Sequence, residues 1–254
     1  MTHADPIPLA SAPDAPVALL RGAGAGPVCL VCEHASAAIP PALGDLGLAA
    51  ADRLAHAVWD PGAEALTRAL SERLDAPALL STVSRLVHDC NRPAGDPTAC
   101  PAQVERIAVP GNAGLSEADR LARAEAVHAP FHDAVSALLE GREGATLMTV
   151  HSFTPAWNGV ARDVELGLLH DADARLAEAM LARAPTEIAT ALNEPYAARD
   201  GVTYTLARHA VPRGIPNVMI EVRNDLLADA WGVSRMADHL AAMLSAALAE
   251  GALA

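Results

Sequence analysis

Two nearly continuous apolar runs constrain the fold of this chain more than any other feature of its sequence. They are residues 145–150, ATLMTV, and residues 216–222, PNVMIEV. Strands that are apolar at almost every position, instead of at every second one, are typical of a sheet with helices on both faces. The two runs therefore predict an α/β protein with buried central strands.

The rest of the chain continues this alternation of strand-like and amphipathic segments. Further strands are predicted over residues 27–32, 77–83 and 163–169, and helices over residues 61–73, 117–140, 173–184 and 229–249. We expect a single domain over residues 21–254. The Pro- and Ala-rich residues 1–20 are predicted to form a tail that is disordered in part.

Charge and hydropathy exclude several classes of function. The formal net charge of −13 argues against nucleic-acid binding, because phosphate recognition requires a basic surface. No uncharged apolar run reaches the roughly 18 residues that a transmembrane helix needs. The N-terminal sequence lacks the basic and then apolar character of a signal peptide. We therefore expect a cytoplasmic protein that has no membrane partner.

The four cysteines are Cys29, Cys32, Cys90 and Cys100. Cys29 and Cys32 have C-x-x-C spacing, but they lie inside an apolar run and no second pair follows at the spacing of a zinc site. Buried reduced thiols are therefore predicted, in preference to metal ligands or a redox pair.

Histidines follow two of the predicted strands at the point where each strand ends. His34 follows strand 27–32, and His151 follows strand 145–150. In α/β sheets the ligand site gathers at the carboxyl ends of the strands, so we expect the two imidazoles to lie close together. Two histidines and a carboxylate, with one position left open, are a common ligand set for catalytic zinc. The sequence therefore predicts a site for one divalent metal ion, Zn²⁺.

Glu221 interrupts one of the two apolar runs that predict central strands. A buried carboxylate costs free energy unless it is paired or bound to a metal. Glu221 is therefore either a functional acid or the partner of a structural ion pair with an arginine. Beside a metal site, a further carboxylate can act as a base on water.

Other polar residues have two interpretations each. Asp60, in WDPGA, is either the cap of the helix predicted from residue 61 or a metal ligand. Arg92 is either a surface charge or, together with Asn91, a fork that binds a carboxylate through two hydrogen bonds.

His128 and His132 lie four residues apart in the predicted helix 117–140, which is a spacing that metal sites use. No second group of ligands supports them, so the sequence favours an exposed helix surface for this pair.

In chain order, several segments together resemble the N-formylglutamate amidohydrolase family. They are CEHAS with the following IP, WDPGA, SRLVHDCNRP, HSFTP, NEPY with DGVTYTLARHA, and IEVRNDLL, and the resemblance covers residues 27–228. It implies hydrolysis of N-formyl-L-glutamate to formate and L-glutamate, a step of histidine degradation. It also implies a phosphorylase/hydrolase-like three-layer sandwich, related to the zinc carboxypeptidases, with a mixed, mostly parallel central sheet.

The resemblance also implies a ligand set for the metal. His34 and His151 correspond to its two histidines, with Asp60 as the third ligand and Glu33 as the alternative. The third ligand stays open because the carboxypeptidase relatives use His-x-x-Glu, and Ala37 stands at the third position after His34.

Further roles follow for a small anionic substrate derived from an amino acid. Glu221 is expected to act as the general base, with Arg85 stabilising the oxyanion. The expected substrate-binding residues are Asn91 and Arg92 for one carboxylate, Arg223 for a second carboxylate or for pairing with Glu221, and Tyr204 and Thr205 in the pocket wall.

Two other functions are compatible with the same residues. One is a zinc peptidase or a deacylase that acts on another N-acyl amino acid. The other is a metal-free protein of the same fold that binds carboxylates and has lost the chemistry.

Overall fold

A seven-stranded sheet forms the centre of the protein, whose computed structural model describes residues 15–142 and 144–249. The strands are β1 (Val17–Leu20), β2 (Val28–Cys32), β3 (Ala78–Ser81), β4 (Gln103–Val104), β5 (Ile107–Ala108), β6 (Thr146–Phe153), β7 (Ala156–Trp157), β8 (Val160–Ala161), β9 (Leu166–Leu169), β10 (Thr190–Leu192) and β11 (Asn217–Arg223). Strands β4 with β5 and β7 with β8 form two separate short hairpins.

The helices are α1 (Ala63–Arg73), α2 (Glu117–Arg123), α3 (Ala129–Leu139), α4 (Arg175–Leu181) and α5 (Ala230–Ala249). One π-helical turn, Ala124–His128, joins α2 to α3, and a second π-helical turn is formed by Leu206–Ala210. Ser116 caps α2 by accepting a hydrogen bond from the backbone N–H of Asp119, as expected where a helix follows a polar loop. Among the described residues, no helix combines the length and the hydropathy that are needed to cross a bilayer.

The order of the strands in the central sheet is β1-β3-β2-β6-β11-β9-β10. The four strands β3, β2, β6 and β11 are parallel to one another, whereas β1 and β9 run antiparallel to their inner neighbours. Every residue of β2 and β6 is buried, as the apolar runs predicted. The expectation of an α/β fold with a mixed, mostly parallel sheet is confirmed.

Apolar side chains fill the space on both faces of this sheet. On one face, α1, α4 and α5 contribute buried residues such as Leu66, Leu176 and Leu240. On the other face, α3 contributes Phe131 and Val135. The helices and the sheet therefore form three layers. All four cysteines are buried, as predicted.

The boundaries of some elements differ from the predicted ones. Strand β6 extends to Phe153, so His151 lies within the strand and does not follow it. Strands β1 and β10 were not predicted. Strand β1 falls within the residues that were expected to form a tail, so the sheet begins before residue 21; residues 1–14 of the predicted tail lie outside the described residues.

Candidate active site

The candidate site lies where β2, β6 and β11 bring polar side chains to one part of the sheet. His34 follows β2 by two residues, and Asp60 precedes α1. His151 and Glu221 face each other in register on the neighbouring parallel strands β6 and β11. All four side chains are buried. The topology therefore brings together residues that are up to 187 positions apart, from His34 to Glu221 (221 − 34 = 187).

Three ligand-type atoms converge on one point in this site. Asp60 Oδ2 lies 3.2 Å from His34 Nδ1 and 2.9 Å from His151 Nδ1. The two Nδ1 atoms are 3.2 Å apart. Among the described residues, these three side chains are the group that is arranged to hold a metal ion.

The outer nitrogens of both imidazoles face carboxylates. His34 Nε2 lies 2.8 Å from Asp89 Oδ1, and His151 Nε2 lies 3.0 Å from Glu33 Oε2. An ionised carboxylate can only accept a hydrogen bond, so His34 Nε2 donates its proton to Asp89. At His151, the negative charge of Glu33 favours the proton on Nε2. In neutral imidazoles both Nδ1 lone pairs then point at Asp60, which is the arrangement of histidines that bind a metal.

The donor set fits a divalent cation. Three acceptor atoms lie within about 3 Å of one another, and such a cluster is repulsive unless a positive charge occupies its centre. Burial lowers the pKa of His151, but the charge of Glu33 and the hydrogen bond to Asp60 outweigh burial and raise that pKa well above its ordinary value. A proton or a metal ion therefore belongs at this point. The geometry favours Asp60 over Glu33 as the third ligand, since Glu33 lies on the far side of the His151 ring.

Arg85 bridges the two aspartates of the site. Its Nη1 lies 3.4 Å from Asp60 Oδ1, and its Nη2 lies 2.9 Å from Asp89 Oδ2. Burial alone would raise the pKa of Asp89, but His34 and Arg85 hold it well below the usual range. Asp89, which orients His34, is therefore ionised, and Arg85 holds both Asp89 and Asp60 in place.

Glu221 is a buried acid that has an unused oxygen. Among the described residues, its Oε2 has no hydrogen-bond partner and its carboxylate forms no ion pair. Burial is the main cause that raises the pKa of Glu221 to about 7, with the negative charge of Asp60 acting in the same direction. Glu221 thus has the protonation behaviour of a general base that works near neutral pH.

A cavity of about 520 Å³ opens onto these residues, a size typical of sites for small molecules. Its polar lining includes His34, His56, Asp60, Arg85, Asp89, Asn91, Arg92, His151 and Glu221. Trp157, Tyr196, Val104 and Met219 are among its more apolar lining residues. One cavity therefore holds the candidate metal ligands, the candidate base and two arginines.

Asn91 and Arg92 occupy different positions in the cavity wall. The Asn91 amide is used within the protein, because its Oδ1 accepts from Thr205 N at 3.0 Å and its Nδ2 donates to Val202 O. The Arg92 side chain is 24% exposed, and its Nε lies 3.9 Å from Asp89 Oδ2. Of these two side chains, Arg92 is therefore the one that a substrate can reach.

Three of the predicted substrate-binding residues are not among those that line the cavity. Arg223 pairs with Glu165 at 3.1 Å and with Asp225 at 2.8 Å. The hydroxyl of Tyr204 accepts from Arg208 Nη1 at 2.7 Å, and Thr205 is buried behind Asn91. The substrate-binding roles of Arg223, Tyr204 and Thr205 stay predictions.

Several residues of the site were not predicted to have a role. Asp89 lies in the same polar segment as Arg92, but its partnership with His34 depends on how the chain folds. One feature of the sequence could have drawn attention to Tyr196 and Trp157: aromatic residues make up only 3% of this chain. A scarce aromatic residue within the segment NEPY was a reasonable candidate for the pocket wall.

The expectation for His128 and His132 was wrong. Both are buried, and both pack with other histidines behind the Asp89–Arg92 segment. The prediction rested on the absence of a second group of ligands. Both histidines instead belong to the buried face of this helical segment, which also carries Phe131 and Val135.

Comparison with known proteins identifies the family. The family model for N-formylglutamate amidohydrolase matches residues 26–228. The chain belongs to the N-formylglutamate amidohydrolase family. The resemblance inferred from the motifs is therefore confirmed, and the chain is a member of a family of hydrolases that act on the amide bond of N-formylglutamate.

Two solved structures are similar to this chain. A gene product of Agrobacterium tumefaciens is 46% identical, with a TM-score of 0.91, and the match covers 93% of this chain and 96% of the other. An N-formylglutamate amidohydrolase of Ralstonia eutropha is 19% identical, with a TM-score of 0.71 and coverage of 93% and 98%, and shares the fold. No curated protein sequence matches the chain.

Proposed function

We propose that this protein is a metal-dependent amidohydrolase that converts N-formyl-L-glutamate to formate and L-glutamate. The observation that supports it is the convergence of two imidazole Nδ1 atoms and Asp60 Oδ2 in a cavity that also contains Glu221, whose Oε2 has no hydrogen-bond partner in the described part of the chain. In the cell, the same proposal assigns the reaction to histidine degradation in the cytoplasm.

His34, Asp60 and His151 would hold one divalent ion, which we propose is Zn²⁺. When bound, such an ion polarises an amide carbonyl and lowers the pKa of a coordinated water toward about 7. Asp89 and Glu33 keep the proton of each imidazole on Nε2 and leave both Nδ1 atoms free to bind.

Glu221 handles the protons of the reaction. With a pKa of about 7, its carboxylate can take a proton from the attacking water and then pass it to the nitrogen of the leaving amine. Its buried position keeps the acid away from bulk water, so the proton moves between Glu221 and the reacting atoms.

Two arginines contact the substrate in this proposal. Arg85 is held by two carboxylates at the metal end of the cavity, where it stabilises the oxyanion that forms on the substrate. Arg92 anchors a substrate carboxylate. The net charge of −13 repels an anionic substrate at long range, but screening at a Debye length of about 10 Å leaves recognition to these local arginines.

The alternatives differ in testable ways. A peptidase or a deacylase for another N-acyl amino acid would use the same metal site, and the cavity of about 520 Å³ has room for an acyl group larger than formyl. A metal-free carboxylate-binding protein is disfavoured, because two imidazole Nδ1 atoms and a carboxylate oxygen converge as the donor set of a metal site does.

The deciding experiment is a panel of N-formyl and N-acetyl amino acids, assayed for released amine with protein purified without chelator. We expect one divalent ion per chain and the highest kcat/KM with N-formyl-L-glutamate. A preference for an N-acetyl substrate would replace the deformylase with a deacylase. Protein that holds no metal and releases no amine would contradict the proposed function as a whole.

A further inference from the structure

Four buried histidines lie behind the segment that carries Asp89, Asn91 and Arg92. They are His88, His128, His132 and His209, and each is at most 3% exposed. None of them belongs to the residues that line the cavity, and the proposed reaction uses none of them. Burying so many polar rings costs free energy unless they form hydrogen bonds, so the presence of four of them in one place needs a physical explanation.

The two π-helical turns place these rings together. His128 ends the turn Ala124–His128, His132 follows in the first turn of α3, and His209 lies in the turn Leu206–Ala210. The rings of His132 and His209 are stacked, with centroids 5.0 Å apart and planes at 15°. A π-helical turn adds one residue to a helix and redirects the side chains that follow, and it frequently occurs at functional sites.

Hydrogen bonding fixes the proton positions in this stack. His132 Nε2 lies 2.8 Å from the carbonyl oxygen of Cys90, so Nε2 carries the proton. The Nδ1 atom of neutral His132 must then accept, and its partner at 2.7 Å is His209 Nε2. His209 Nδ1 is left as an acceptor, and Ser136 Oγ lies 3.4 Å from it. The donors therefore run from Ser136 through His209 and His132 to the Cys90 carbonyl.

A similar hydrogen bond holds a second backbone carbonyl of the same segment. His128 Nε2 donates to the carbonyl oxygen of Arg92 at 3.0 Å. The two carbonyls on either side of Asn91 are thus both bound by histidines from the helix layer. The Asn91 side chain is bound from the other direction, by the backbone of Val202 and Thr205. The segment is therefore held from both sides.

The chain of hydrogen bonds requires neutral rings. Burial lowers the pKa of His132 to about 2 and the pKa values of His128 and His209 to about 4. All three rings are therefore neutral under ordinary conditions, which agrees with the proton positions that the geometry requires.

We propose that His132 and His209 are positioning residues that hold the Asp89–Arg92 segment, so that the Arg92 guanidinium faces the cavity before substrate binds. An arginine side chain that is already ordered loses less conformational entropy when substrate binds than an unsupported arginine side chain does. The inference rests on the proposed function, because a substrate carboxylate is the assumed ligand of Arg92.

The test compares two substitutions at one position. His132→Phe fills the same space and removes both hydrogen bonds, whereas His132→Gln keeps an N–H donor for the Cys90 carbonyl. Each variant is assayed with N-formyl-L-glutamate and with its two monoamides, N-formyl-L-glutamine and N-formyl-L-isoglutamine. Metal content and Tm are measured on the same preparations.

We expect His132→Phe to retain its metal and to raise KM for N-formyl-L-glutamate by roughly 10-fold, with a smaller change in kcat. The monoamide that lacks the carboxylate bound by Arg92 should keep its wild-type kcat/KM in this variant. His132→Gln should restore most of the KM. Leu244→Ala, in the core on the opposite face of the sheet, is the control for lost stability and should leave KM unchanged.

Two results would overturn the inference. One is a KM of His132→Phe that equals that of Leu244→Ala at comparable Tm. The other is an equal loss of kcat/KM for all three substrates while the metal is retained. If the wild-type protein hydrolyses no N-acyl substrate, the proposed function fails separately. A crystal structure of His132→Phe then decides, since an unmoved Arg92 contradicts the positioning role and a displaced Arg92 supports it.

Discussion

At the scale of single residues, Glu221 shows what burial reveals about function. Its position in an apolar strand indicated either a functional acid or a structural ion pair, and the structure contains no ion pair that involves it among the described residues. Among the described residues the buried carboxylate therefore forms no ion pair and its Oε2 accepts no hydrogen bond, which is the condition expected of a group whose partner is the reacting water or substrate.

Glu221→Gln tests this role directly. The amide keeps the shape of the side chain but cannot accept a proton, so we expect kcat to fall by about 10²–10⁴-fold while KM changes little. Metal content and Tm should be retained, because Glu221 is not among the converging ligands. A folded variant with bound metal and a kcat near normal would contradict the proposed base, and loss of the metal would make Glu221 a ligand.

Arg92→Lys tests the carboxylate anchor. The lysine keeps the positive charge but loses the planar pair of donors, so KM should rise by roughly 10-fold or more for carboxylate substrates. Arg235→Met, which removes a surface arginine that packs on the exposed Trp231, is the matched control. An unchanged KM in Arg92→Lys with full metal content would make Arg92 an ordinary surface charge.

At the scale of the elements, the central strands were predictable from their uniform burial and the edge strands were not. Strands β2, β6 and β11 are covered on both faces, so their apolar runs stand out in the sequence. Strands β1 and β10 lie at the two edges of the sheet, are only partly buried and are four and three residues long. Strand β1 is the apolar run VALL, but segments of three or four residues are too short for hydropathy to distinguish a strand from a loop.

The candidate site was predictable in its residue types but not in its detailed partnerships. His34, His151, Asp60 and Glu221 were all candidates, because carboxyl ends of parallel strands collect ligands. The choice between Asp60 and Glu33 depends on which nitrogen of His151 each carboxylate faces. That information depends on side-chain orientation across the fold, and no spacing in the sequence contains it.

His151 lies opposite Glu221 in the register of β6 and β11, so its substitution tests whether these strands assemble the metal site. His151→Ala, like His34→Ala, should lose the bound metal ion, because each removes one of the three converging atoms. His151→Ala also leaves the buried Glu33 carboxylate without its ion-pair partner, so the Tm of this variant should fall. Elemental analysis of both variants measures the metal, and full metal content in both would place the ion elsewhere.

At the scale of the whole molecule, the protein concentrates acidic groups around the point where His34, Asp60 and His151 converge. The net charge is −13, and Glu33, Asp60, Asp89 and Glu221 are all buried near the converging ligands. Arg85 offsets only part of this charge. A divalent ion bound there would compensate a local excess of negative charge, so under the proposed function the free energy of unfolding should depend on that ion.

Chelation at different pH values tests this dependence. Without metal, Glu33 and Asp60 raise the pKa of His151 above its ordinary value despite burial, so the folded protein binds a proton that the unfolded chain releases near pH 6.5. The stability that this proton contributes is complete below about pH 6.5 and is lost as pH rises through the higher pKa of the folded state. The metal must displace the same proton, so metal affinity rises with pH.

We therefore expect the decrease in Tm caused by removing the metal to be small near pH 6 and larger near pH 8.5. Thermal unfolding of chelated and metal-loaded protein across this range measures it. His151→Ala is the control, since it lacks both the proton site and one ligand and should show no such increase. A decrease in Tm that is the same at every pH would mean that metal and proton do not compete at His151, and the ligand set proposed for this site would have to change.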